Sequence, residues 1–178
     1  MADEAPFPHA YPKEFDTELA AVWYAANYFY QQSYNRIGET TGVLFKKPSQ
    51  KFGFTYRMDG GFLGAKVRWG DVPQEKGYVI TAGWHTHVPG TRFCEIDRDG
   101  AAALCFAFGL TDGLMQEFRS FSSDDTGLAK DATRITHRKI SFYLITADMI
   151  KRYTPGEQDK MWRKAVPSKM VGIWHENF

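Results

Sequence analysis

The 178 residues carry 22 Lys and Arg against 21 Asp and Glu, a net charge of +1, with 43% hydrophobic and 24% charged residues. That balance suits one globular domain with a sizeable core and excludes long disorder. The basic residues are dispersed, so no stripe tracks a phosphate backbone and nucleic-acid binding is not expected.

The longest apolar run, Ala101 to Leu110, is far shorter than the ~20 residues a membrane-spanning helix needs. The acidic, proline-containing start shows no secretory pattern. Cys94 and Cys105 are too few for a disulfide framework, so the chain is expected to be made in the cytoplasm with reduced thiols.

Residues 1–14, with Pro6, Pro8 and Pro12, read as an extended N-terminal lead-in. Asp16 and Thr17 supply helix-starting chemistry. Leu19, Val22, Trp23, Ala26, Phe29 and Tyr30 then recur at helical spacing, which predicts an amphipathic helix to about Gln32. Glu39 to Phe45 reads as a strand that begins at Glu39, and the alternation of Lys51 to Arg57 predicts a second strand before the Asp59-Gly60-Gly61 turn. Tyr78 to His87 is the strongest strand of the chain.

Residues from about 91 to 119 read as an insertion with some helix. Ser122 to Asp125 leads into a helix through Ala132, Ile140 to Thr146 reads as a buried strand, and Met149 to Tyr153 follows it. The segment 157–178 reads as a tail packed on the body through Met161, Trp162, Val171, Ile173 and Trp174.

His85 and His87 carry the chemical signal. Side chains alternate along a strand, so residues i and i+2 point the same way and two imidazoles can converge on one ion. A catalytic zinc commonly takes three protein ligands and leaves one position open. Downstream, Ser122-x-x-Asp125 supplies a carboxylate, and Glu39 supplies another upstream.

Each piece has a plain reading as well: a histidine pair at a strand end, a serine-capped helix with an acid in its first turn, and a surface glutamate. Their ordered joint occurrence favours a metal site. His9, His137 and His175 sit in a loop, a polar helix end and the tail, and no ligand role is assigned to them. Cys94 has no neighbouring feature that would activate it as a nucleophile.

In this order, Glu39-x-x-Gly42-x-Leu44, His85-x-His87 and Ser122-x-x-Asp125 resemble the JAMM signature of the JAB/MPN zinc metallopeptidases. The closest likeness is to a bacterial JAB-like domain of unknown function found in polymorphic toxin proteins, and it covers roughly residues 15–156. The resemblance implies an α/β (α+β) fold with a central mixed, mainly antiparallel sheet flanked by helices. It implies Zn²⁺ held by His85, His87 and Asp125, with Glu39 as general base and Ser122 as oxyanion donor.

The implied activity is hydrolysis of a peptide or isopeptide bond, in a ubiquitin-like conjugate or a cell-wall peptide. A toxin or effector role would add Sec-independent export and a cognate immunity or carrier protein. A JAB-like module that binds or scaffolds without catalysis is the alternative. Thirty-four residues separate His87 from Ser122, more than the family pattern has, and within them Cys94-x-x-Asp97 offers Asp97 as a rival third ligand.

Overall fold

The computed structural model describes residues 5–36, 38–61, 65–88 and 121–163. Helix α1 (Glu18–Arg36) starts where the Thr17 hydroxyl accepts the Ala20 N–H, 3.1 Å away, and continues one turn past the expected end. It continues because Ser33 turns inward, where its hydroxyl finds a buried partner instead of competing for the helix backbone.

The strands are β1 (Thr41–Lys46), β2 (Phe52–Phe54) and β3 (Val79–Thr86); helix α2 (Ser123–Thr136) precedes β4 (Ser141–Ile145), β5 (Met149–Tyr153) and β6 (Lys160–Arg163). They form one six-stranded sheet in the order β2-β1-β3-β4-β5-β6. Only β3 and β4 pair in parallel; the other four neighbouring pairs are antiparallel. The fold is thus mixed α+β with a mainly antiparallel sheet flanked by helices, the class the sequence predicts.

The sheet is buried on both faces. On one, Leu44, Phe54, Ala82, Trp84, Tyr143 and Ile145 pack against Val22, Trp23, Phe29 and Tyr30 of α1. On the other, Val43, Phe45, Ile80 and Phe142 pack against Ala129 and Ala132 of α2 and against Val67 and Val72. Burying a side chain such as Leu44 or Phe142 contributes about 1.5–3 kcal/mol. A register shift between Leu44 and Phe45 skips one residue of β3, which sends Ile80 to the α2 face and Ala82 to the α1 face.

Gly42 is required by its neighbours. A Cβ there would lie 1.8 Å from the Thr55 carbonyl oxygen and 2.5 Å from the Trp84 ring nitrogen, and those two atoms are themselves hydrogen-bonded at 3.1 Å.

Two terminal segments are more integral than the sequence reading assigns. The lead-in covers the outer edge of β2: Tyr11 donates its N–H to Phe54, Tyr56 donates to His9, and Phe7 and Ala10 are buried. Within the expected strand 51–57 only Phe52–Phe54 pairs continuously, because Thr55 and Arg57 turn to isolated bridges with Ala10 and Thr41. From the expected tail, β6 joins the sheet beside β5, and the Trp162 ring stacks 6.4 Å from Tyr143.

The 91–119 insertion, with Cys94, Asp97 and Cys105, lies outside the described residues, as do Val171, Ile173, Trp174 and His175. Among the described residues no helix is long and apolar enough to cross a membrane.

Candidate metal centre

The end of β3 builds the centre. Trp84 and Thr86 point toward α1, so His85 between them points to the other face, where its ring meets Phe142 edge-on with centroids 5.1 Å apart. His87 follows on the same side, and the two imidazole centroids are 4.5 Å apart. Pairing with β4 continues through this end, since the His87 N–H donates to the Ile145 carbonyl at 2.8 Å. Both histidines therefore leave a backbone held on each side.

Glu39 comes from the turn between α1 and β1, two residues before the strand itself begins. Its N–H donates to the Gly61 carbonyl at 3.1 Å, and Thr41 pairs with His85 across the sheet. Asp125 comes from the first turn of α2. Ser122 caps that helix by accepting the Asp125 N–H at 3.1 Å, while Asp125 Oδ2 accepts the Ser122 N–H at 2.8 Å, a reciprocal capping box. The cap and the site share Asp125 without conflict: Oδ2 serves the helix and Oδ1 faces His85 Nε2 at 3.5 Å.

Four predicted residues thus meet from three separate parts of the chain. Glu39 Oε2 lies 3.8 Å from His85 Nδ1, and Glu39 Oε1 lies 3.8 Å from His87 Nε2. Glu39, His85 and His87 offer ligand atoms all within 4.8 Å of one another, a buried Glu-His-His group that could hold a metal ion. Asp125 stands just outside this trio and touches it through His85. Ser122 is exposed at the helix start. Because its oxygen accepts the Asp125 N–H, its own proton is left to donate outward.

Burial sets the electrostatics. Glu39, His85 and Asp125 are 5%, 4% and 5% exposed, so no water shell sustains their charges. Desolvation first, and then the nearby Asp125 carboxylate, push the Glu39 carboxyl up to about 8, against one stabilising hydrogen bond from the Ala65 backbone. Burial, followed by the neighbouring His87, holds His85 well below its ordinary value, so it is a neutral imidazole with a lone pair to give.

Two atoms here, Glu39 Oε2 and His85 Nε2, are buried without a hydrogen-bond partner. Such groups are costly to leave unmet, and a cation would satisfy both. Ligands about 2.0–2.1 Å from a tetrahedral ion are about 3.4 Å apart, close to the 3.5 Å between His85 Nε2 and Asp125 Oδ1. The residues present fit a metal.

Comparison with protein-family models finds no match, and comparisons with curated proteins and with solved structures find none.

The residues that hold Glu39 in place form no recognisable pattern in the sequence. Arg36 donates to the carbonyls of Gly38, Glu39 and Gly60 at 3.0, 2.8 and 2.9 Å. Ser33, Thr40 and Thr86 form a buried hydroxyl cluster behind the sheet. One signal was present: a threonine between two histidines that share a face must itself point the opposite way. His137, given no ligand role, closes α2 in the left-handed conformation with φ 53°.

Proposed function

We propose that this chain is a zinc-dependent hydrolase of amide bonds, peptide or isopeptide, with a JAMM-type site. One observation carries the reading: Glu39, His85, His87 and Asp125 converge in a buried cluster in which Glu39 Oε2 and His85 Nε2 have no hydrogen-bond partner. The order of these residues along the chain, with Ser122 three residues before Asp125, is the order of the JAMM signature.

In this reading His85, His87 and Asp125 hold the ion. When bound, zinc supplies a Lewis acid for the substrate carbonyl and lowers the pKa of a water to about 7. Glu39 takes the proton of the attacking water on a carboxylate oxygen and returns it to the departing amine. Ser122 donates its hydroxyl proton to the oxygen that gains negative charge as the carbonyl becomes tetrahedral. The Phe142 ring, edge-on to His85 at 5.1 Å between centroids, packs against that imidazole from the α2 side of the sheet.

The Glu-His-His geometry also favours a second reading, in which Glu39 is itself the third ligand and Asp125 only orients His85. Metal content by plasma mass spectrometry and hydrolysis of a panel of ubiquitin-like isopeptide conjugates and cell-wall peptides test the main reading. The Glu39→Gln variant should keep zinc and lose hydrolysis, whereas Asp125→Asn should lose both. Zinc lost from Glu39→Gln and kept by Asp125→Asn would establish Glu39 as the ligand instead. Purified protein that takes up no zinc would end both readings.

A further inference from the structure

Behind the histidine face of β3, three hydroxyls form a chain that no solvent reaches: Ser33, Thr40 and Thr86 are each 0% exposed. Thr86 donates to Ser33 at 2.9 Å, and Ser33 and Thr40 are hydrogen-bonded at 2.7 Å. The Thr86 oxygen also accepts the Thr40 N–H at 2.9 Å, while the Thr86 N–H donates to the Thr40 carbonyl at 2.9 Å. Thr86 therefore ties β3 to the Thr40 backbone just ahead of β1 through two hydrogen bonds, and to the last turns of α1 through Ser33.

The position of this knot matters more than its strength. Thr86 lies between His85 and His87, and Thr40 directly follows Glu39. The hydroxyl chain thus joins the residue flanked by the two imidazoles to the residue next to the carboxylate. Arg36 adds an independent hold on the same segment, since its guanidinium binds the Glu39 and Gly38 carbonyls from the end of α1 and fixes the Gly60 carbonyl against them. Gly60 packs so closely here that a Cβ on it would lie 2.5 Å from the Glu39 carbonyl oxygen. The three buried hydroxyls lie where the segment carrying Glu39 meets the end of β3. A core of matched apolar groups would have filled the same space without desolvating them.

We propose that the Ser33–Thr40–Thr86 hydroxyl chain, backed by Arg36, is a positioning device that sets the distance of Glu39 from the His85–His87 pair. The inference rests on the proposed hydrolase reading in assigning Glu39 a proton-transfer role, although the geometry it explains does not depend on the metal.

The decisive variant is Thr86→Val, which keeps the side-chain shape and removes the hydroxyl; Thr86→Ser restores it. Arg36→Lys, at a more exposed position, keeps the charge and loses the fork. Three quantities are read: the zinc dissociation constant by competition with a chromophoric chelator, kcat and KM for a panel substrate that the unaltered protein cleaves, and the ¹³C carboxyl resonance of Glu39 in metal-free protein. For Thr86→Val and Arg36→Lys we expect a zinc dissociation constant within about threefold of the original and kcat reduced roughly ten- to hundredfold with KM little changed. The Glu39 resonance should be displaced, and Thr86→Ser should return all three values.

An unchanged kcat and an unmoved Glu39 resonance would overturn the inference. So would zinc affinity falling in step with kcat, which would mean that the chain holds ligands and not the base. Failure of the unaltered protein to bind zinc or cleave any substrate would refute the hydrolase reading alone, and the Glu39 resonance in the variants would still decide the positioning role.

Discussion

Glu39 makes the metal-free protein sensitive to alkali in a way that one substitution removes. In the folded chain its carboxyl is pushed up to about 8 by burial and by Asp125, against an ordinary value of 4.5 in the unfolded chain. The folded state therefore binds this proton more tightly, so stability is lost as pH rises from 4.5 toward 8. His85 has the opposite sign: its folded value lies well below 6.5, so it weakens the fold as pH falls through 6.5, and this slope fades above it.

Relative to Glu39→Gln, the Glu39 contribution falls by about 2 kcal/mol between pH 6.5 and 8. For a chain of this size that is a fall of roughly 4–8 °C in Tm. Thermal unfolding in a chelator, followed by circular dichroism from pH 6.5 to 8, should show this fall in the original protein relative to Glu39→Gln. Glutamine keeps the shape and cannot ionise. Parallel curves for the two proteins would refute the account, as would an original protein that gains relative stability toward pH 8.

Three further outcomes follow from the same geometry. Zinc at a hundredfold its dissociation constant should stabilise the chain by about 2.7 kcal/mol, seen as a rise in Tm that is absent in His85→Ala. Asp125→Asn can still accept the Ser122 N–H, so in metal-free protein its unfolding midpoint should move by less than about 1 kcal/mol, while zinc affinity measured by chelator competition falls at least roughly tenfold. Gly42→Ala should destabilise by about 3 kcal/mol or more in urea unfolding, because the new Cβ would meet the Thr55 carbonyl oxygen at 1.8 Å.

Much of this was legible from residue order because it depends on local alternation. The strand of His85 and His87 is long, apolar and β-branched at its start, and the helix after Ser122 announces itself by its cap. Long-range partners left no such trace. Nothing local distinguishes Thr86 as a hydrogen-bond hub from any strand threonine, because Ser33 and Thr40 approach it only once α1 lies across the sheet. Likewise β6 is short and half polar, with Lys160 and Arg163 at its ends; its place is fixed by pairing with β5 and by Trp162 meeting Tyr143. The role of Arg36 was hidden for a different reason: its three acceptors are backbone carbonyls, which no side-chain pattern reveals.

Thirty-four residues separate His87 from Ser122, more than the JAMM pattern has, yet the topology makes their number almost irrelevant. β3 and β4 run parallel, so the chain must cross from the end of one back to the start of the other, and a helix lying on the sheet is the common way to do it. Helix α2 joins β4 through the short 137–140 link and therefore runs antiparallel to it, which places the α2 start near the end of β3. Asp125, in the first turn, is thereby brought to the end of β3, where His85 stands and His87 directly follows the strand. Lengthening the intervening segment adds only about 0.6 kcal/mol of closure entropy per doubling. The spacing that matters for this site is measured along the helix from Ser122 and along the strand from His85, and both are short.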